Sequence, residues 1–290
     1  HVYRMDITQM IAYHEEKAAK GTVAALPIPV EQAERFGTIE IDDDWRIVCF
    51  HEKVKDPPQI PGRPGWALAS MGNYIFDAAV LVDELKQDAA KRESAHDFGG
   101  NMLPEMVVEH PIYAYDFLSN VVPGEAVARC GYWRDVGTVE AYYDSNMALR
   151  LPSPSVNLYN HRWPLRTAEY PVGPTKFTTD GEGRVGHAIG SIVSEGCVIN
   201  GAEMVDSVIG RRVHADPGAL VRASIVMDNC HIGAGAKIRR AILDKNAQVS
   251  PGAEIGYDPA RDRERYHVTD TGIVIVEGHR SPIEITSVSV

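Results

Sequence analysis

The repeat that decides the fold comprises Pro217-Gly218-Ala219, Ala234-Gly235-Ala236 and Pro251-Gly252-Ala253, three tripeptides spaced seventeen residues apart. A second marker keeps the same interval at Ser207-Val208-Ile209, Ser224-Ile225-Val226 and Ala241-Ile242-Leu243. Small or aliphatic residues also return near every sixth position, as at Ile192, Val198 and Met204. Two markers with one interval indicate stacked turns that bury their aliphatic corners on each other. They predict a left-handed parallel β-helix whose glycines occupy corners that require positive φ.

Upstream of the repeat, residues 1–150 alternate helix-period and strand-period segments, as is typical of an α/β domain with a mixed sheet. We expect strands over Gly21–Pro29, Gly37–Asp42, Arg46–His51, Ala67–Phe76 and Tyr113–Phe117. We expect helices over Thr8–Lys20, Ala78–Lys91 and Asp97–Glu109, and another that begins at Val139.

The domain boundaries follow from changes in composition. Prolines and aromatic residues become frequent from residue 152, which predicts an extended linker over residues 151–185. The α/β domain then covers residues 1–150, and the β-helix domain with a C-terminal extension covers residues 186–290. Because the chain opens on the polar and aromatic segment His1–Asp6 rather than on a buried strand, we expect it to continue a longer α/β domain.

Composition restricts the class of protein. The chain has 290 residues, of which 44% are hydrophobic, so we expect a packed globular protein. A net charge of -11 argues against nucleic-acid or anionic-membrane partners, and the lack of long apolar runs or a signal-peptide layout predicts a cytoplasmic protein. The four cysteines contain no CxxC pair and are expected to be buried reduced thiols, at Cys49, Cys130, Cys197 and Cys230.

Polar residues at strand ends are the first candidates for chemistry. Lys53 follows a predicted strand and offers a compact cation to a phosphate, and Glu52 offers an acceptor to sugar hydroxyls. Ser70 and the backbone around Gly72 lie where ligands of α/β sheets collect. The alternative for Glu52 and Lys53 is an ordinary exposed strand end.

The segment Gly131–Thr138 contains the strongest local pattern. Asp135 stands between an aromatic pair and a glycine turn, just before a predicted helix. A carboxylate at such a turn suits Mg²⁺, which prefers hard oxygen ligands and nucleotide phosphates. The alternative is that Asp135 or Thr138 caps the helix, and the two roles are compatible.

The order and spacing of these segments resemble bacterial glucose-1-phosphate adenylyltransferases, also called ADP-glucose pyrophosphorylases, over nearly the whole chain. The resemblance to actinobacterial members looks particularly close. It rests on the β-helix together with His1–Asp6, Arg35–Glu40, Phe50–Lys53, Ala69–Phe76, His96–Gly100 and Gly131–Thr138.

The resemblance implies adenylyl transfer from ATP to glucose 1-phosphate, with release of pyrophosphate, for glycogen or α-glucan synthesis. It implies that Lys53 binds the sugar phosphate, and that Glu52, Ser70 and the Gly37 backbone surround the glucose. Asp135 would be one of two aspartates holding Mg²⁺. The resemblance further implies a homo-tetramer and a sugar-phosphate or nucleotide effector near Arg239 and Arg240, for which two solvated corner arginines are the alternative.

Two departures from the family pattern bear on activity. The family's ATP-phosphate loop and its other metal-binding aspartate precede the position of His1, so we expect this polypeptide to be inactive by itself. Val54 also replaces the proline that commonly follows the Glu-Lys pair.

Three other functions remain open at the level of sequence. A sugar-1-phosphate nucleotidyltransferase that uses GTP, UTP or dTTP would share these motifs. A hexapeptide-repeat acyltransferase would need a histidine base, for which His187, His214 and His231 are candidates by residue type. A non-catalytic sugar-phosphate-binding subunit is the third.

Overall fold

The computed structural model describes residues 1–125 and 131–278, which form two compact units. Of the described residues, the sheet unit comprises 3–125, 131–133 and Asn160–Trp163, and the coil unit comprises His1–Val2, Arg134–Tyr159 and residues 164–278. The two-residue strands β1 (Val2–Tyr3) and β7 (Trp133–Arg134) lie where the chain passes from one unit to the other.

The sheet unit is built on a mixed sheet of five strands in the order β4-β3-β5-β2-β6. Strand β2 pairs antiparallel with the central strand β5 and parallel with the edge strand β6. The strands are β2 (Gly21–Pro29), β3 (Gly37–Ile41), β4 (Ile47–Glu52), β5 (Trp66–Phe76) and β6 (Ile112–Asp116). The helices are α1 (Ile7–Glu16), α2 (Ala78–Ala89) and α3 (Leu103–Glu109), with short helical turns at Val30–Arg35, Phe98–Met102 and Phe117–Ser119.

Both faces of this sheet are buried, which explains the continuous apolar run in β2. Val23 and Ala25 lie in one hydrophobic cluster with Leu103 of α3, whereas Ala24 lies in another with Met10 of α1. Successive side chains of a strand point to opposite faces, so a strand covered by helices on both sides must be apolar throughout.

The predicted helix over Asp97–Glu109 is not regular. Phe98–Met102 forms a π-helical turn, and the α-helix begins only at Leu103. The Asp97 carboxylate accepts a hydrogen bond from the backbone N–H of Gly100 at 2.6 Å. Two adjacent glycines and Pro104 in the first α-helical turn favour this opening over a continuous helix.

The coil unit contains three stacks of short strands, and the ladders along the stacks are parallel except for the β22–β23 pair. The first stack comprises β10 (Ile192–Val193), β13 (Val208–Ile209), β16 (Ile225–Val226), β19 (Ala241–Leu243), β23 (Val274–Val276) and β22 (His267–Val268). The second comprises β20 (Gln248–Val249), β17 (His231–Ile232), β14 (His214–Ala215), β11 (Val198–Asn200) and β8 (Lys176–Thr178). The third comprises β21 (Glu254–Ile255), β18 (Lys237–Arg239), β15 (Leu220–Arg222), β12 (Glu203–Val205) and β9 (His187–Ile189). The short helix α5 covers Pro259–Arg263.

Register along the middle coils of each stack reproduces the seventeen-residue interval read from the sequence, whereas the coils before them are offset by sixteen residues, as between Ile192 and Val208. Val208 pairs with Ile225, and Ile225 pairs with Ile242. The corner glycines Gly218, Gly235 and Gly252 have φ of 74°, 68° and 69°, which confirms their predicted role. Other corners place ordinary residues at positive φ, at Asp206, Arg212, Ala223, Asn229, Arg240 and Asn246.

A ladder of serine hydroxyls runs through successive coils. The hydroxyls of Ser191, Ser207 and Ser224 accept hydrogen bonds from the backbone N–H groups of Ser207, Ser224 and Ala241, at 3.0, 3.2 and 3.1 Å. Each hydroxyl also donates to a carbonyl two residues earlier in its own coil. Each of these three serines therefore bonds both its own coil and the next one, which explains this marker.

The helix α4 (Val139–Leu149) packs on the coils of its own unit. Tyr143 is buried among Ile225, Ile242 and Ile273, and its hydroxyl donates to the carbonyl of Ala223 at 2.5 Å. The predicted boundary at residue 150 separates this helix from the coils it contacts. Strand β8, which lies within the segment predicted as linker, pairs with β11 of the coils. Both boundaries stay predictions, and these contacts group α4 and β8 with the coils.

Within the residues that the structure describes, no helix has the length and apolar character needed to cross a membrane. Cys197 and Cys230 are buried and unbonded to other cysteines, as predicted, whereas Cys49 is partly exposed. Cys130 lies outside the described residues.

Candidate functional site

The end of the β3–β4 hairpin brings three of the predicted residues together. Gly37 stands directly opposite Glu52 in the antiparallel register, and Lys53 follows the last residue of β4. Lys53 adopts φ of 52°, and its backbone N–H donates to the carbonyl of Phe36 at 3.3 Å. This left-handed residue ends the strand and carries the lysine side chain out of the ladder.

Two glycines enclose the carboxylate of Glu52. A Cβ added at Gly37 would lie 2.9 Å from Glu52 Oε2 and 2.6 Å from a ring carbon of Phe50. A Cβ added at Gly99 would lie 2.7 Å from the same Glu52 oxygen. A methyl group at either position would force the Glu52 side chain to move, so the carboxylate owes its present place to backbone without a side chain.

Glu52 and Lys53 form an ion pair at 3.0 Å, with 33% and 64% of their side chains exposed. The hydrogen bond and charge of Glu52, with a contribution from the charge of Asp97, raise the pKa of the Lys53 ammonium. The lysine therefore stays charged at neutral pH and remains accessible to an anionic ligand.

Tyr74 forms an aromatic wall beside this pair. Its ring centroid lies 5.2 Å from that of Phe98 and 5.8 Å from that of Phe76. Burial raises the pKa of the Tyr74 hydroxyl, the hydrogen bond from Ser70 opposes the shift, and the charges of Glu52 and Asp97 add to it. A phenol held neutral beside two carboxylates is a hydrogen-bond donor or acceptor for a polar ligand.

Ser70 lies buried in β5, where its hydroxyl accepts from the backbone N–H of Gly72 at 3.2 Å. The same hydroxyl is 3.5 Å from the Tyr74 hydroxyl. Through Tyr74, Ser70 belongs to the polar cluster that contains Glu52 and Asp97.

Sequence reasoning did not assign Tyr74, Asp97 or Gly99 to the site. The Asp97–Gly100 segment was recognised only as part of a family pattern, and its clustering with Glu52 depends on the fold. The paired glycines after Asp97 were the signal that could have found it, because they mark a close approach of backbone to another group.

Asp135, the predicted metal ligand, lies in the coil unit, whereas the other predicted substrate residues lie in the sheet unit. Its Oδ1 accepts from the backbone N–H of Gly137 at 2.9 Å and lies 3.7 Å from His1 Nε2. The N-cap of α4 is Thr138, whose hydroxyl accepts from the N–H of Ala141 at 3.1 Å. Capping therefore belongs to Thr138, and Asp135 forms the turn before it with its side chain about half exposed.

Comparison with known proteins covers almost the entire chain. A sequence model described as nucleotidyl transferase matches residues 1–151, and one described as GlmU-like C-terminal hexapeptide matches residues 173–276. A glucose-1-phosphate adenylyltransferase from Anaeromyxobacter sp. (strain Fw109-5) is 47% identical over 95% of this chain and 68% of its own length. Proteins with the same name are 46% identical in Frankia casuarinae, over 95% of this chain and 68% of the relative, and 45% identical in Thermus thermophilus, over 97% and 68%.

The chain belongs to the glucose-1-phosphate adenylyltransferase family. Membership confirms the predicted fold class, a nucleotidyltransferase α/β domain with a mixed sheet followed by a β-helix of hexapeptide repeats. Nucleotidyltransferases of this kind generally use a divalent metal.

The two arginines of the β-helix pair have different surroundings. The Arg239 guanidinium lies 5.3 Å from the Tyr257 ring centroid. Arg240 lies 5.5 Å from the Tyr143 ring centroid, and its Nε donates to the carbonyl of Thr271 at 3.3 Å. Both residues are exposed, but they contact different elements of the coil unit.

The three histidines that are candidates for acyl transfer lie within strands of the coil unit. His187 is in β9, His214 in β14 and His231 in β17. His214 and His231 both face Asp216, so they are partners of a carboxylate within the coils.

Proposed function

We propose that this protein transfers the adenylyl group of ATP to α-D-glucose 1-phosphate, giving ADP-glucose and pyrophosphate for glycogen or α-glucan synthesis. The observation that carries the proposal is the accessible Glu52–Lys53 pair against the backbone of Gly37 and Gly99, in a chain whose relatives bear this activity as their name. That name also favours ATP over GTP, UTP or dTTP.

Lys53 and Glu52 would bind different parts of the sugar phosphate. Lys53 would bind the phosphate as a compact cation, and Glu52 would accept hydrogen bonds from glucose hydroxyls. The neutral hydroxyl of Tyr74, held by Ser70, would contact the sugar, while Gly37 and Gly99 let the ring approach the backbone. These contacts would hold the phosphate oxygen in position for attack.

The reaction needs no covalent enzyme intermediate. A phosphate oxygen of glucose 1-phosphate attacks the α-phosphorus of ATP in line, the new P–O bond forms, and the bond to pyrophosphate breaks. Alignment and neutralisation of negative charge are the contributions that a protein makes to such a transfer. The cation of Lys53 would offset charge on the attacking phosphate.

Asp135 is suited to a divalent cation because it presents a hard carboxylate that is about half exposed. We assign it to Mg²⁺ as one protein ligand, since Mg²⁺ is usually held by one or two carboxylates together with substrate phosphates. When bound, Mg²⁺ would neutralise the phosphates of ATP.

Regulation and assembly complete the proposal. Arg239 and Arg240 are the proposed contacts for a sugar-phosphate or nucleotide effector, with Arg239 the more available because Arg240 already contacts the Thr271 carbonyl. We also propose a homo-tetramer, which light scattering at several protein concentrations would test.

Calorimetric titration with glucose 1-phosphate tests the substrate site. In Lys53→Ala we expect affinity to fall by about 10- to 100-fold, since a charge-assisted phosphate contact contributes roughly 1.5–3 kcal/mol. Lys55→Ala is the matched control, because Lys55 is also exposed and lies two residues away. Equal affinity in wild type and Lys53→Ala would exclude Lys53 from the phosphate site.

Turnover is measured separately as pyrophosphate release from ATP and glucose 1-phosphate. The prediction that this polypeptide is inactive by itself would be wrong if release were sustained, and the activity proposal would then have direct support. Binding without turnover would leave the substrate assignment in place.

A further inference from the structure

The second stack of coil strands carries a cluster of two histidines and one aspartate. His214 and His231 are in register on neighbouring parallel strands, so their side chains stand one above the other. Asp216 follows β14 and points to the same face as His214, since the intervening Ala215 is buried in the core. The seventeen-residue repeat thus places three ligand-type side chains at one point.

The three side chains converge on the carboxylate. His214 Nε2 lies 3.2 Å from Asp216 Oδ1, and His231 Nε2 lies 2.9 Å from Asp216 Oδ2. The two rings are perpendicular, at 89°, with centroids 5.3 Å apart. One ligand atom from each residue lies within 4.8 Å of the other two. All three side chains are open to solvent, with 50%, 28% and 45% exposed for His214, Asp216 and His231.

The three ligand atoms are close enough together for one metal ion to bind all of them after small side-chain movements. Bonds of about 2.1 Å from zinc to imidazole nitrogen and carboxylate oxygen place neighbouring ligand atoms about 3.4 Å apart. The observed nitrogen-to-oxygen distances of 3.2 and 2.9 Å run to different oxygens of Asp216, so this side chain must rotate to present one oxygen to an ion held by both imidazoles. Small side-chain rotations at an exposed site suffice to admit the ion.

We propose that His214, Asp216 and His231 bind a divalent late first-row transition metal, of which Zn²⁺ is the representative, with a fourth position open to water. Two imidazoles and a carboxylate favour such an ion over Mg²⁺, which prefers an all-oxygen shell. The site lies on the outer face of the coils and bridges two of them. Bound metal would therefore stabilise the coil stack.

Two other trios occur among the described residues. Glu84, Glu109 and His110 include a buried carboxylate that already pairs with His110 at 2.9 Å. Glu40, Cys49 and His51 include a thiol. The thiol makes the second trio distinguishable by spectroscopy, because a thiolate ligand adds a charge-transfer band that a nitrogen and oxygen site lacks.

The test is Co²⁺ titration of the tag-free, chelator-stripped full chain, with visible absorption as the readout. We expect a saturable band of four-coordinate Co²⁺, no near-ultraviolet thiolate band, and displacement by Zn²⁺. His231→Gln and Asp216→Asn should each weaken Co²⁺ binding by at least about tenfold, because one ligand of three is lost. Zn²⁺ should raise the melting temperature of the wild type and not of these variants.

His187→Gln is the matched control, because His187 is an exposed strand histidine 3.9 Å from the Glu203 carboxylate in a different stack. It should bind Co²⁺ like the wild type. His214→Gln replaces His231→Gln if the latter alters the metal-free melting temperature. Unchanged Co²⁺ affinity in the His231 and Asp216 variants, a thiolate band, or no saturable binding would each overturn the proposal.

Discussion

For single residues, the position of the Glu52 carboxylate depends on the absence of side chains at Gly37 and Gly99. Gly37 lies opposite it across the hairpin and Gly99 approaches it from a different part of the sheet unit. Any side chain at either position would move the carboxylate, and with it the ion pair to Lys53. The two glycines are therefore as much part of the candidate site as the charged residues.

Gly37→Ala should weaken glucose 1-phosphate binding by at least about tenfold, because its new Cβ would displace Phe50 and Glu52. Calorimetry and thermal unfolding together measure the effect. Gly173→Ala is the control, since a Cβ there meets nothing within 4 Å. If both variants bind like the wild type, the close packing around Glu52 has no role in binding.

The buried thiols lead to a prediction about pH. Burial raises the pKa of Cys230 from 9.0 to about 11, and burial also raises the pKa of Cys197. The folded chain keeps the Cys230 proton in a range where the unfolded chain loses it, so stability is complete below pH 9 and falls as pH rises towards 11. Chemical denaturation at pH 8 and pH 10.5 should show this loss, and Cys230→Ala should reduce it.

The substrate residues could be predicted from sequence only where they adjoin a recognisable strand end. Glu52 is the last residue of β4 and Lys53 follows it. In the sequence, the alternation of apolar and polar residues along the strand gives way to charged residues at this point. Tyr74 and Asp97 come from separate elements, and their approach to Glu52 depends on how β5 and the Phe98–Met102 turn pack. Local patterns carry no information about such distant packing.

At the scale of elements, the repeat was predictable because each coil contacts only its neighbours. One local pattern therefore determines both the strand and its partner. The Asp97–Glu109 segment shows the opposite case, since helical periodicity continues through a turn where Asp97 and two glycines produce a π-helical opening. The competition between side-chain and backbone hydrogen bonds decided that geometry.

Alanine substitutions at two glycines of the last coils allow the energetic cost of backbone strain to be measured apart from the cost of steric overlap. Gly252 and Gly256 have φ of 69° and 81°, so alanine is strained at both. A Cβ at Gly252 meets nothing within 4 Å, whereas a Cβ at Gly256 would fall on the carbonyl oxygen of Arg239. We expect Gly252→Ala to cost about 1 kcal/mol of unfolding free energy and Gly256→Ala several times more. Equal losses in denaturant titrations would mean that the coil shifts to accept the methyl group.

At the scale of the whole molecule, the division into units does not follow the order of the chain. Residues 134–159 belong with the coils, and Asn160–Trp163 belong with the sheet unit. The boundary near residue 150 was predicted from composition, because prolines become frequent there. Composition does not reveal that α4, which precedes this point, packs on the coils. Tyr143, in α4, is buried with coil residues of the same unit.

A polypeptide of residues 134–290 should therefore be more stable than one of residues 151–290. Without α4, the apolar side chains of Ile225, Ile242 and Ile273 lose their cover, and the Ala223 carbonyl loses its bond from Tyr143. Removal should cost at least about 2 kcal/mol, which thermal unfolding of both polypeptides would detect. Equal melting temperatures would favour the boundary near residue 150.

The serine ladder limits how this protein can change length over evolution. The hydroxyls of Ser207 and Ser224 accept hydrogen bonds from the equivalent backbone positions of the next coil. A deletion of one full coil would therefore place another equivalent residue in the same position and keep the hydroxyls aligned. A deletion within a strand that did not remove a whole coil would bring a different side chain into the position of the serine. Inheritable changes of length in the coils should thus come in multiples of the repeat, and other insertions should accumulate at its corners.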